Sequence, residues 1–548
     1  MFSLAIFIGI YSYIIFFLGI FGLLTNGTVQ VVSCIWLIVF LFVKRKSIQG
    51  FINKLRETRF NYKKIYYFTP LFLFTSLLIL QALVNLIGAV GPELAFDALW
   101  YHLTLAKLYL LHHMIYPIPG NLLYYSEMPK LGEMLFIGAL SFGNEITAKV
   151  IHFLFGILIA ISLFKFSRKF FNQTISLLIV VIFYSNLAVD WESITAYIDL
   201  IRTFFEVLAL WAFINWNKSQ KNKWLVVSGL MMGFAITAKL LVIGSFFILF
   251  LLLVAVFLSK RKSLKELLLG CFIFSVSAVI IPLPWFIFSY LNTGNPVYPF
   301  FSPLYEVTSN PANFFQIIPD LWNLFIYSAD PISPIYLLFL PLLFVVYSKM
   351  RKEIKIIIWY SGLSLLLWYF TPRTGGGRFI LPYLPAFSFV SGAIYSELLK
   401  KAGTEWKFIA KLLLSLIVFV SLISIGYRGV TNTKYLPIIF GQETKETFLA
   451  KHLNFQFGDF ADTDNYFANH IRSSDTVLLF GFHNLYYVDF PFIDNTWVKK
   501  GDAFDYIASQ NTKLPPRFAN WHLIYSNDKT MVKLFKPPSG ECMKICYY

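Results

Sequence analysis

Gly91–Met114, GPELAFDALWYHLTLAKLYLLHHM, is the stretch on which the reading of this chain turns. It follows a long apolar run, opens on a Gly-Pro break, and carries Glu93, Asp97, Tyr101, His102 and His112 in an apolar background. At about 100° per residue, Asp97, Tyr101, Thr104 and His112 fall within about 80° of one another. That spacing predicts an amphipathic helix lying in a membrane interface, its polar stripe turned toward protein or water. A carboxylate at that depth is costly unless something compensates it. Asp97 is therefore either structural, capping the helix or pairing with Lys107, or it is chemically employed.

The surrounding composition sets the class. Of 548 residues, 57% are hydrophobic and 19% aromatic, with a mean hydropathy of +0.65. Such values over this length belong to a polytopic membrane protein. The net charge of +17 does not point to nucleic acid, because the Lys and Arg residues sit in short blocks between apolar runs. Met1–Leu24 lacks a basic leader and a small-residue cleavage site, and reads as a retained first span. Cys34 and Cys271 lie inside apolar runs and read as packing residues. Cys542 and Cys546 form C-x3-C near the end, where a local disulfide is open to an extracytoplasmic tail. Two thiols alone do not make a metal site.

A hydrocarbon core about 30 Å thick takes about 20 helical residues per crossing. On that ruler the chain divides into thirteen spans: 4–24, 29–43, 66–89, 146–165, 175–189, 199–216, 224–238, 240–258, 267–290, 333–348, 356–371, 379–398 and 408–426. With the N-terminus cytoplasmic, the loops on that side hold 26 Lys and Arg residues. The short segments opposite hold 5, namely Lys107, Lys130, Lys239, Arg373 and Arg378. This asymmetry orients the chain, with the C-terminal part extracytoplasmic. The expected fold is an α-helical polytopic bundle carrying a small extracytoplasmic α/β domain. Residues 1–65 would form two additional N-terminal helices and a basic loop. Residues 66–426 would form the transmembrane module, with outer loops 90–145 and 291–332. Residues 427–548 would form the tail domain. In the tail, 476–480, 522–525 and 531–535 read as strands, and 444–453 and 463–471 as helices.

Charged groups on the outer side are few. The first loop offers Glu93, Asp97, His102, His112, His113, Glu127 and Glu133. The segment VDWESITAYIDL adds Asp190, Glu192 and Asp199, and GLMMGFAITAKL adds Lys239. TPRTGGGRFILPYLP places Arg373 and Arg378 around three glycines. Carboxylates can take a proton from a hydroxyl nucleophile. Arg holds phosphate through a bidentate fork and Lys as a point charge, and a glycine run lets backbone N–H groups approach an anion. Blander readings stand beside these. Arg202 and Glu206, four apart within a span, read as a structural ion pair. Lys239 could snorkel to the headgroups, and His112 and His113 read as interfacial. No metal-ligand cluster, nucleotide-binding loop or Ser-His-Asp order is visible, so no metal or organic cofactor is called for, although a divalent ion stays open.

These pieces together resemble the GT-C superfamily of polytopic, lipid-carrier-dependent glycosyltransferases. The likeness is to the bacterial branch related to protein O-mannosyltransferases and the aminoarabinose transferase of lipid A. FDALWYHLTLAK, MPKLGEML, SITAYIDL, GLMMGFAITAK, NTGNPVYPFF, RFILPYLP and GQETKETFL carry it, in order, over roughly residues 66–460. The resemblance implies an extracytoplasmic active site, a polyprenyl-phosphate sugar donor, and transfer to a lipid, glycan or protein acceptor with inversion at the anomeric centre. Asp97 would be the catalytic base, and Asp199 a second acidic residue orienting acceptor or sugar. A single Asp in the first loop, where several members have adjacent acidic residues, keeps Glu93 beside Asp97 as a candidate base. Lys239, Arg373 and Arg378 would neutralise the phosphate, with Tyr101, His102 and Glu133 completing the substrate-binding set. Two other classes compete: a lipid-linked sugar flippase, which would show inverted repeats, and a non-catalytic membrane assembly factor.

Overall fold

In a computed structural model, the described residues are 1–57, 69–303, 316–327, 331–370, 376–538 and 545–546. Each of the thirteen expected segments holds helix. The helices begin where the sequence places caps. Thr69 accepts the Phe72 N–H with Pro70 in the first turn, Asn144 and Asn172 cap the helices Glu145–Ser167 and Gln173–Tyr184, and Ser263 with Glu266 forms a capping box. Seven helices among the described residues are long and apolar enough to cross a membrane alone, or eight if a bent pair counts as one span.

That bent pair corrects the expected single span at 267–290. Leu264–Val279 and Leu283–Thr293 meet at 63°, since Pro282 and Pro284 cannot continue the hydrogen-bond ladder through the break. The remaining expected spans form shorter or more polar helices, most of them shielded by their neighbours, while Ile335–Val346 leaves Leu337, Leu340 and Phe344 exposed. Asp199–Ser219 is buried along almost its whole length and packs chiefly against Asn222–Ala238 and Glu145–Ser167. Its buried charges are paired within the bundle. Arg202 Nε lies 2.5 Å from Glu206 Oε1, an Arg202 N–H reaches the Tyr383 hydroxyl at 3.3 Å, and the Tyr360 hydroxyl donates to Glu206 Oε2 at 3.3 Å.

The tail carries a five-stranded sheet in the order Phe492–Asp494, Val477–Phe480, Tyr506–Gln510, Val532–Lys536, His522–Asn527. The first three strands are parallel and the last two join antiparallel. The inner strand Val477–Phe480 is buried on both faces, which explains its unbroken apolar run. The expected strands and helices are found, the latter as Lys445–His452 and Tyr466–His470. The short strands at 492–494 and 506–510 had no alternating signature to announce them. Cys546 lies in the strand pair Ala503–Phe504 with Ile545–Cys546, and the proposed partner Cys542 falls outside the described residues.

The tail sits on the first outer loop. Lys107 Nζ donates to the carbonyls of Tyr486 at 2.7 Å and Val488 at 2.8 Å and meets Asp489 at 2.6 Å. Lys107 is thus a docking residue and leaves Asp97 to another partner. Glu145 receives Lys445 at 2.7 Å and both the Tyr486 and Tyr487 hydroxyls at 3.3 Å. Gly120, at φ +67°, abuts Thr496 so closely that any Cβ would collide with it. Glu145→Ala leaves the buried Tyr486 hydroxyl without an acceptor, at about 1–3 kcal/mol, and releases Lys445, while Tyr487 keeps the Glu93 carbonyl at 2.9 Å. We expect it to lower the melting temperature and expose the tail to limited proteolysis, with both read against the wild type in detergent.

Candidate active site

The first outer loop is built so that Asp97, Tyr101 and His102, with Lys130 and Glu133 further along it, reach one cavity. Glu93 folds the loop back on itself: it accepts the N–H groups of Leu94 and Ala95 at 2.8 Å, and that of Ala196 across the bundle. Asp97 then leads into a π-type turn, Ala98–His102, before the regular helix Leu103–His112. The extra residue in an i→i+5 turn shifts the helical phase. It brings His102 to the same wall as Asp97 and Tyr101, whereas a regular helix would set His102 about 140° from Asp97. The continuous stripe expected through His112 is accordingly split. Thr104 is buried and bonded to the Leu99 carbonyl at 2.7 Å, and His112 stacks edge-on against Tyr116 outside the cavity.

Arg378 is the centre of the charge arrangement. Its Nη1 lies 2.5 Å from Asp97 Oδ2, and its Nε lies 2.9 Å from Asp199 Oδ2 and 3.5 Å from Glu192 Oε1. The guanidinium also covers the Tyr197 ring at 4.1 Å. Lys239 Nζ meets the other oxygen of Asp199 at 2.6 Å, so Lys239 has a partner and does more than snorkel. Tyr101 donates to Asp97 Oδ2 at 3.1 Å and stacks on Tyr125 at 3.8 Å. His102 Nδ1 lies 2.6 Å from Glu133 Oε1.

The electrostatics separate the two base candidates. Burial works to raise the Asp97 carboxyl, but the charge and hydrogen bond of Arg378 outweigh it, and Asp97 stays below the ordinary carboxylate range. Glu93 goes the other way, raised by full burial against the pull of Lys149 and its backbone donors.

A cavity of about 600 Å³ is lined by Asp97, Tyr101, His102, Glu133, Lys239 and Arg378. Asp199 stands behind it, holding both cations. Glu93 is away from the lining, and Arg373 lies outside the described residues. Of the other residues at the site, Glu192 and Lys130 were named in the sequence only among the outer-side charges, with no role, and Tyr197 was not singled out. Tyr197 and Lys130 lie within the quoted pieces SITAYIDL and MPKLGEML, and Glu192 stands just before the first; charge marked Glu192 and Lys130, and nothing in residue type marked Tyr197. Lys130 lines the same cavity. It donates to the carbonyls of Ser126 and Met128 and faces Trp285 at 4.3 Å, and burial lowers its ammonium to about 8 against the pull of Glu127. Among the described residues, no three His, Cys, Asp or Glu side chains are grouped to hold a metal ion.

Comparison with known proteins agrees with this architecture. A family profile described as dolichyl-phosphate-mannose-protein mannosyltransferase matches residues 134–287. The structure superimposes on ArnT from Cupriavidus metallidurans bound to undecaprenyl phosphate with a TM-score of 0.57 at 13% identity, over 85% of this chain and 98% of that one. The apo form of the same protein gives 0.55 at 13% identity, over 84% and 97%. No curated protein matches by sequence. The chain has the GT-C fold, the architecture of multi-pass membrane glycosyltransferases.

Arg378→Gln removes the cation that three carboxylates share. With burial unrelieved, the folded-state value of Asp97 should then rise above its unfolded one. A raised carboxyl destabilises the fold at pH above its unfolded value, and that penalty fades as pH falls through the folded value. The variant's melting deficit should therefore shrink between pH 7 and pH 5. In the wild type Asp97 is depressed and makes no such gain, and the raised Glu93, common to both proteins, cancels in the difference. Melting curves of both proteins across the range check the sign.

Proposed function

We propose that the protein is an integral-membrane glycosyltransferase that moves a sugar from a polyprenyl-phosphate carrier to a hydroxyl on an extracytoplasmic lipid, glycan or protein. The observation that carries this reading is the meeting of Asp97, Arg378 and Lys239 on one cavity wall within a GT-C fold. A phosphate-linked donor needs cations at its leaving group and a carboxylate at its acceptor, and this wall offers both. The undecaprenyl phosphate bound by ArnT supports the class of carrier. The charge asymmetry of the loops supports an inner-membrane location with the N-terminus cytoplasmic and the tail outside.

In the proposed reaction the acceptor oxygen attacks the anomeric carbon from the side opposite the phosphate. The carbon–oxygen bond to phosphate breaks with its electron pair leaving on the phosphate, and the acceptor proton passes to Asp97. The anomeric centre inverts. Arg378, Lys239 and Lys130 take up the charge growing on the departing phosphate. Arg378 also links donor binding to base strength. As the incoming phosphate draws on the guanidinium, its hold on Asp97 weakens and the carboxylate becomes a better proton acceptor. Asp199 keeps both cations aimed, and Glu93, clasped by backbone N–H groups, serves as the brace of the loop. All of these groups come from the chain itself, and the transfer is expected to need no metal.

Asp97→Asn, reconstituted in liposomes with undecaprenyl-phosphate-linked sugars, is expected to lose transfer by about 10²–10⁴-fold with its melting temperature within a few degrees of wild type. Full activity in this variant would remove Asp97 from the role of base. Lys239→Gln is expected to raise the donor KM more than it lowers kcat, and wild-type transfer is expected to survive chelation of divalent ions.

A further inference from the structure

The His102–Glu133 pair faces the same cavity and is not used by the charges around Arg378. Both residues are almost fully buried and both line the cavity. The Nδ1–Oε1 contact of 2.6 Å leaves the far atoms of the pair, His102 Nε2 and Glu133 Oε2. Both are buried and have no hydrogen-bond partner among the described residues. A buried polar atom without a partner is disfavoured, and two on one dyad in a cavity wall mark a place where a ligand completes the bonding.

Hydrogen-bond chemistry fixes what that ligand must offer. An ionised Glu133 only accepts, so the proton of the short contact sits on His102 Nδ1. Nε2 of the neutral ring is then a lone-pair acceptor, and Oε2 is one too. The partner must therefore donate twice, or carry two donors. The four cations of the lining, Lys130, Arg202, Lys239 and Arg378, already face carboxylates in Glu127, Glu206, Asp199 and Asp97, so the two acceptors of the dyad are left for a ligand, and a pair of O–H groups meets both. Tyr101, stacked on Tyr125 beside His102, adds an aromatic edge of the kind a carbohydrate ring packs against.

Resting on the glycosyltransferase reading above, we propose that His102 and Glu133 form a hydroxyl-recognition subsite that holds carbohydrate O–H groups by two acceptors. The hydroxyls belong to the transferred sugar or to the acceptor, and the two sources separate experimentally. Glu133→Gln keeps the shape and the contact to Nδ1 but replaces the acceptor toward the cavity by an N–H donor. His102→Asn tests the other half of the pair.

The full-length protein in nanodiscs would be titrated with undecaprenyl phosphate and with undecaprenyl-phosphate mannose, glucose and galactose. The wild type should bind at least one glycosylated lipid more tightly than the bare carrier. If the sugar supplies the hydroxyls, each variant should lose about tenfold of that advantage while its affinity for bare undecaprenyl phosphate stays unchanged. If the acceptor supplies them, the advantage persists and the acceptor KM rises about tenfold with kcat preserved. Either result supports the subsite. The proposal is overturned if neither quantity moves, or if bare-carrier binding falls in step with the rest in a variant whose melting curve is intact. Failure of the wild type to bind undecaprenyl phosphate at all would instead count against the glycosyltransferase reading.

Discussion

One guanidinium holds the functional face of this protein together. Arg378 stands where Asp97, Glu192 and Asp199 converge, and those carboxylates come from separate parts of the chain: the first outer loop, the turn near 190, and the head of the central helix. Any one of these charges alone would be expensive in so dry a place. Together they stabilise one another, and the compensation fixes the relative position of elements that are far apart in sequence. Lys239 extends the arrangement through the second oxygen of Asp199. The resulting wall is charged but neutralised.

The same rule runs through the bundle behind it. Asp199–Ser219 carries Asp199, Arg202, Glu206 and Lys218 and sits nearly fully enclosed, because its inward charges find partners on neighbouring helices. A second polar string links Gln81 to Asn85 at 2.9 Å and Asn85 to Asp190 at 3.2 Å. Ser424 then reaches Asp190 at 2.7 Å. Between helices surrounded by lipid, hydrogen bonds of this kind supply a specificity that apolar packing alone does not. Helices too short to span alone, such as Gln173–Tyr184, are accommodated because longer neighbours shield them.

The tail domain contributes by position. Lys107 and Glu145 bind it to the two ends of the first outer loop, the segment that also presents Asp97, Tyr101 and His102. Aromatic contacts of Phe96 with Phe457 and of Trp100 with His483 continue that seam beside the cavity. The loop is thus held from below by the bundle and from above by the sheet.

The sequence by itself determined the membrane class, the helical segments, the capped starts of several helices and the three clearest strands of the tail. Those features rest on hydropathy, periodicity and cap chemistry within a few neighbouring residues. It also singled out Asp97, Asp199, Lys239 and Arg378, since charge is rare enough in an apolar chain to be conspicuous. Only the tertiary structure decided who pairs with whom: that Lys107 serves the tail, that Glu93 braces the loop, and that Glu192, Tyr197 and Lys130 belong to the site. The π-type turn at Ala98–His102 shows why. One added residue changes the helical phase, and the cost of that turn is set by packing against distant segments, which no local pattern records.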